Sequence, residues 1–195
     1  MWSVAVAVLA LVCGFANAAY AGTKTVVRTE TYAVAGKNGE ALMKAMNLKG
    51  PKHGFLARAM AQTRYSVQWD MDWAATAGGC KLKRANALLA VTYRYPRISG
   101  AVTPDLKRRW VRFMAGVRAH EETHGEIAQQ MVTAAHKAIS GLANSKDPNC
   151  TKLQSEVRRR VNMVYADYER RQRKFDAKEH HYGGNVDGLV AILTD

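Results

Sequence analysis

Apolar and polar residues alternate with two different periods along this chain, and the change of period divides it. From Ala61 to Trp73 the odd positions are apolar or Thr (Ala61, Thr63, Tyr65, Val67, Trp69, Met71, Trp73), while the even positions are Gln62, Arg64, Ser66, Gln68, Asp70 and Asp72. A period of two is that of a strand with one buried face. After Ala77-Gly78-Gly79 the alternation resumes from Lys81 to Tyr95 through Ala85, Ala87, Leu89, Val91, Tyr93 and Tyr95, so the two runs read as an antiparallel hairpin. Upstream, the Thr- and Val-rich residues 24–34 read as a further strand stopping at Gly36, followed by a short helix from about Gly39 to Leu48 that Gly50-Pro51 ends.

Beyond Pro104 the period lengthens. Leu106, Trp110, Phe113, Val117, His124, Ile127, Met131, Ala135, Ile139 and Leu142 recur every three or four residues, or at multiples of that step, which predicts one long amphipathic helix with Pro104 near its start. The breaker-rich residues Ser145 to Asn149 end it. Leu153, Val157, Val161, Val164, Tyr168, Gln172 and Phe175 then mark a second helix, and so short a linker makes the pair an antiparallel hairpin. The tail from Glu179 to Gly188, with two histidines and three glycines, reads as a loop. No internal repeat or low-complexity tract is present. The expectation is an α+β fold, with a small antiparallel sheet packed on a long antiparallel helix hairpin.

Composition adds the compartment. A chain of 195 residues with 48% hydrophobic content is that of one globular domain. The first 21 residues carry no charged side chain, and the apolar run from Val4 to Ala18 ends in Ala16-Asn17-Ala18 and Ala19-Tyr20-Ala21. Residues 1–21 therefore read as a secretory signal peptide and residues 22–195 as the mature domain. The run is shorter than the roughly 18 to 20 residues a membrane span needs, so no transmembrane helix is expected in the mature chain. Export to the periplasm or the exterior makes a disulfide between Cys80 and Cys150 the natural expectation.

The formal charge of +13 belongs to the mature part, with clusters at Lys107-Arg108-Arg109, Arg158-Arg159-Arg160 and Arg170 to Lys174. In an exported protein such charge favours an anionic envelope surface or polymer, or it belongs to a solvated helix face. A nucleic-acid partner is disfavoured by the export signal and by the lack of any recognition motif.

The chemistry lies in His120-Glu121-Glu122-Thr123-His124, a His-Glu-x-x-His motif inside the long helix. One helical turn apart, both imidazoles can reach one metal ion, and Glu121 points beside it as general base. Zinc held by neutral imidazoles and a third protein ligand keeps a position for water and lowers its pKa toward about 7. No further histidine follows at a spacing that extends the motif. Counting back along the hairpin puts Tyr168 to Gln172 level with the two histidines, so Glu169, His180 and His181 are all open as third ligand.

Several segments carry a family resemblance: Thr29 to Gly36, Lys49-Gly50-Pro51, Tyr65-x-Val67-x-Trp69, Cys80, Tyr95-Pro96, Trp110, His120 to Gly125, Cys150, and Phe175-Asp176 with histidine and glycine after it. On these the chain resembles the predicted secreted zinc-dependent peptidases of bacteria (DUF922). The family's tail, Tyr-Asp-x-x-Thr-x-His-Gly, carries the third-ligand role onto His181 and makes Asp176 an orienter of a ligand; here Glu179 replaces the Thr and Tyr182 the Gly. The expectation is a zincin-like domain with one Zn²⁺ ion, hydrolysing peptide bonds, with Tyr182 as a possible oxyanion stabiliser. The alternative is a non-enzymatic module that binds the envelope through its basic face.

Overall fold

The computed structural model describes residues 22–53 and 57–195; the signal peptide expected over residues 1–21 lies outside them. Strand β1 (Thr23–Val34) leads into helix α1 (Gly39–Lys49) and two short paired strands, β2 (Lys52–His53) and β3 (Ala57–Arg58). The long strands β4 (Gln62–Ala75) and β5 (Cys80–Ile98) follow, then helix α2 (Pro104–Ile139) and the short β6 (Ala143–Asn144). Helices α3 (Thr151–Glu179) and α4 (Asn185–Thr194) complete the order. This is an α+β architecture, and among the described residues no helix is long and apolar enough to cross a membrane.

The main sheet has the order β1-β5-β4, with β6 on the start of β5. The β4/β5 hairpin is antiparallel, as its alternation implied. β1, however, pairs with β5 in parallel, Thr23 opposite Ala87 through Val34 opposite Ile98, so the sheet is mixed and not the purely antiparallel one expected. Alternation reports which face of a strand is buried and says nothing of its direction. Here β1 returns to the sheet through α1 and the whole of β4, a connection long enough for parallel pairing.

The odd-numbered face of β5 meets the helices: Ala87, Leu89 and Val91 pack against Ala128, Met131 and Val132 of α2. α2 and α3 run antiparallel, with His124 level with Gln172 and Ala138 level with Arg160. Thr103 starts α2 by accepting the Leu106 N–H at 3.2 Å, with Pro104 in the first turn. At the start of α3, Cys150 is left-handed (φ 60°) and supplies no cap, and buried Asp147 accepts the Leu153 N–H instead, at 2.8 Å. The expected disulfide joins Cys80 to Cys150, tying the start of β5 to the start of α3.

The tail differs from the loop expected: residues from Asn185 onward form α4. Its glycines suggested a loop, yet Leu189 and Leu193 supply an apolar face that α2 buries. The close approach is made at Gly116, where a Cβ would lie 2.1 Å from a Leu189 methyl. α4 thereby holds the turn that carries His180 and His181.

Candidate metal centre

The centre forms where the middle of α2 faces the end of α3 and the start of β4. On α3, Gln172, Phe175, Asp176 and Glu179 recur at steps of three and four, so one helical face presents them all. On α2, His120 and His124 share a face and their Nε2 atoms stand 3.3 Å apart. Phe175 packs against both rings, at 4.9 and 5.1 Å between centroids, which limits their rotation.

Gln172 determines which imidazole nitrogen of His124 carries the proton. Its Nε2 donates to the His124 carbonyl oxygen at 3.0 Å, so the amide oxygen is the atom that lies 2.5 Å from His124 Nδ1. Nδ1 must then be the protonated nitrogen, and the Nε2 lone pair faces away from Gln172. That lone pair meets Asp176 Oδ1 at 3.0 Å, and the same oxygen lies 3.6 Å from His120 Nε2. On the far side of His120, buried Nδ1 has no hydrogen-bond partner among the described residues, and Glu179 Oε2 lies 3.7 Å away. Burial first, then neighbouring His124 and His180, lowers the His120 pKa and favours its neutral form.

Two imidazole nitrogens and a carboxylate oxygen thus converge within a few ångströms, an arrangement that a shared proton or a cation would bridge. The fit to a cation is metrical as well. A tetrahedral ion with bonds of about 2.0–2.1 Å spaces its ligand atoms by about 3.3 Å, the separation found between the two Nε2 atoms. His120, Asp176 and His180 can each also offer one donor atom within 4.8 Å of the others.

Glu121 is buried beside this point. The Thr63 hydroxyl, on the inward face of β4, lies 2.6 Å from Glu121 Oε2 and 2.9 Å from the Glu121 carbonyl oxygen, and donates to them. Burial raises the Glu121 pKa, against the lowering effect of Thr63, so the carboxylate is a stronger base than an exposed one. Gly125, directly after the motif, lets α2 sit against the sheet, since a Cβ there would lie 2.0 Å from the Tyr93 hydroxyl.

These groups open into a cleft of about 700 Å³. One half is polar, with the histidines and carboxylates; the other is apolar, walled by Met60, Ala61, Val117, Ala177, Val186 and Leu189. Tyr65 also lines it, donating to Glu169 at 2.5 Å, and burial followed by that hydrogen bond raises the phenol pKa and keeps it neutral.

His120, Glu121 and His124 are therefore brought together as their spacing implied. Asp176, expected behind a ligand, faces the same point as the two Nε2 atoms. His180 and His181 are both exposed, but His180 belongs to the cluster, whereas His181 turns Nδ1 to the Lys178 carbonyl oxygen at 2.6 Å. Glu169 lines the cleft as the partner of Tyr65, and Tyr182 is 99% exposed, outside the cleft wall. Thr63, Tyr65 and Gln172 were not singled out from sequence. The available signal was a polar residue on an apolar stripe: Thr63 on the odd face of β4 and Gln172 on the buried face of α3.

Many of the clustered arginines are held in pairs along their own helices. Arg108 and Arg109 share Asp105, Arg159 and Arg160 share Glu156, and Arg170 and Arg171 share Asp167. Hydrogen bonds from Arg159 and then Arg160 hold the exposed Glu156 carboxyl down at about 2.

Fold and cleft together define an α+β protein with an imidazole–carboxylate centre between a helix hairpin and the edge of a mixed sheet. Residues 29–183 match the family described as bacterial protein of unknown function, DUF922, and the chain belongs to it. No curated protein and no solved structure matches the chain.

Proposed function

We propose that this protein is an exported zinc-dependent metallopeptidase of zincin-like architecture. In this reading His120, His124 and Asp176 hold one Zn²⁺ ion, with His180 within reach of the same point, and Glu121 is the general base. The observation that carries it is the convergence of two imidazole Nε2 atoms and one carboxylate oxygen at 3.0–3.6 Å, beside a buried carboxylate and inside a cleft. The Cys80–Cys150 disulfide supports an oxidising compartment.

Zinc bound by such donors supplies the Lewis acidity that brings the pKa of a water molecule toward about 7. The rest falls to the protein. Glu121, held by Thr63 and raised in pKa by burial, accepts the proton of the attacking water and returns it to the leaving amine. The neutral Tyr65 phenol lines the cleft and, on releasing its hydrogen bond to Glu169, takes the oxyanion-stabilising role first considered for Tyr182. The choice of a peptide as substrate rests on β4, an edge strand at the cleft mouth. Its outward backbone N–H and C=O groups suit pairing with an extended chain.

The test is metal analysis together with Glu121→Gln. The expected result is one zinc per chain in both proteins, with hydrolysis of an unfolded protein substrate lost by about 10²-fold or more in the variant. A chain purified from zinc-containing medium without stoichiometric metal, or a Glu121→Gln variant that cleaves as fast as the parent, would overturn the proposal.

A further inference from the structure

A second cavity, of about 350 Å³, lies on the same seam between β4 and α3. Trp69, Met71 and Trp73 of β4 form one wall, and Val157, Arg158 and Val161 of α3 the other. The three β4 side chains are large and apolar yet only half-buried. Trp69 is held in place by donating its indole N–H to the Tyr165 hydroxyl at 2.9 Å. The volume is at the small end of the range of about 300–1,000 Å³ for ligand sites, which suits a side chain or two and not a folded partner.

From the position and charge of this cavity we infer that it is a remote subsite for an extended acidic polypeptide whose scissile bond lies in the metal cleft. The inference rests on the peptidase reading and specifies its substrate. Thr63 and Tyr65 line the cleft while Trp69, Met71 and Trp73 line the second cavity, all on one face of β4. From Tyr65 to Met71 the strand advances six residues, about 20 Å at about 3.3 Å per residue. A chain paired along the free edge of β4 advances by the same repeat and turns every second side chain to the same side. Two of its side chains six residues apart therefore face the cleft and the cavity together, a match of spacing that a lipid tail or a sugar ring does not have.

Charge selects among polypeptides. Arg159 and Arg160 share Glu156, whereas Arg158, at the cavity, is paired with no carboxylate among the described residues and donates only to Ser155. With a net charge of +13, the chain as a whole favours an acidic partner. The expected ligand places an apolar side chain between the tryptophans with a carboxylate beside it.

The experiment measures fluorescence anisotropy of a labelled peptide of about sixteen residues carrying Leu-x-Glu, with the Leu about six residues from its central bond, added to the full-length Glu121→Gln protein. Arg158→Glu should weaken binding about tenfold, and replacing the peptide's Glu by Lys should restore it. Trp73→Ala should weaken both peptides. In the otherwise wild-type enzyme, neither substitution should change hydrolysis of a peptide of about four residues, which is too short to reach the cavity. Affinities within twofold across these variants would overturn the inference. So would vesicles of anionic phospholipid that bind through Trp73 while the peptide does not. A charge-swapped pair that binds as expected without any hydrolysis would instead sink the peptidase reading alone, and hydrolysis of the short peptide together with long-peptide binding that neither Arg158→Glu nor Trp73→Ala changes would sink only the remote subsite.

Discussion

Gln172→Leu tests whether the amide sets the tautomer of His124. The substitution puts an apolar side chain of similar size in a buried position and removes two contacts: the acceptor at 2.5 Å from Nδ1 and the donor at 3.0 Å from the His124 carbonyl oxygen. That carbonyl lies mid-helix in α2 and keeps its helical partner, so the loss falls on Nδ1. Leaving this buried N–H unpaired costs about 1–3 kcal/mol. It also frees the imidazole to rotate and to take the other tautomer, whose Nε2 has no lone pair for a metal. Losing such a partner lowers metal affinity by about 10- to 100-fold, or about 1.4–2.7 kcal/mol. Two measurements separate the effects: urea unfolding of the metal-free protein for stability, and competition with a chromogenic chelator for zinc affinity. Gln172→Glu is the control, because it restores an acceptor opposite Nδ1 and should hold zinc better than the Leu variant. A Leu variant that binds zinc within twofold of the parent, or a Glu variant that binds less well than Leu, refutes the tautomer argument.

Three further outcomes follow from the geometry. Reducing Cys80–Cys150, or replacing both by Ala, opens a loop of 70 residues and should lower stability by about 4 kcal/mol by the chain-entropy estimate; an unchanged urea midpoint with and without reductant contradicts this. Gly125→Ala puts a methyl where the Tyr93 hydroxyl lies 2.0 Å away and should cost about 1–3 kcal/mol. Tyr93→Phe in the same chain should recover part of it, and if the double variant is as unstable as the sum of the two the contact is not the cause. For the fourth donor, His180→Ala should lower zinc affinity by about tenfold or more, while His181→Ala stays within twofold; the reverse order returns the ligand role to His181.

The strand faces, the two long helices and the pairing of His120 with His124 were legible because each follows from a local period that burial enforces. Even the level of the hairpin could be counted, and Gln172 lies within the stretch that counting reached. What escaped depends on quantities a period does not contain. The direction of β1 is one, since parallel and antiparallel pairing bury the same alternating face. The helix from Asn185 is another, since Gly184 and Gly188 mask an apolar face whose partner, Gly116, lies far away in sequence.

The choice between His180 and His181 is the instructive case. Consecutive residues on a helix differ by about 100° in direction, so which histidine faces the centre depends on where α3 stops and how its last turn unwinds. Pattern reading places a helix end only to within one or two residues, which is coarser than the difference to be resolved. Here α3 runs through Glu179, His180 takes the capping position at φ −101°, and its N–H still reaches the Asp176 carbonyl oxygen at 2.9 Å. That last hydrogen bond keeps His180 on the helix's inner side with Asp176, and the chain leaves the helix at His181. An end one residue later would carry His181 a further step around the axis, so the identity of the fourth donor is a property of the C-cap and of α4, which holds the turn after it.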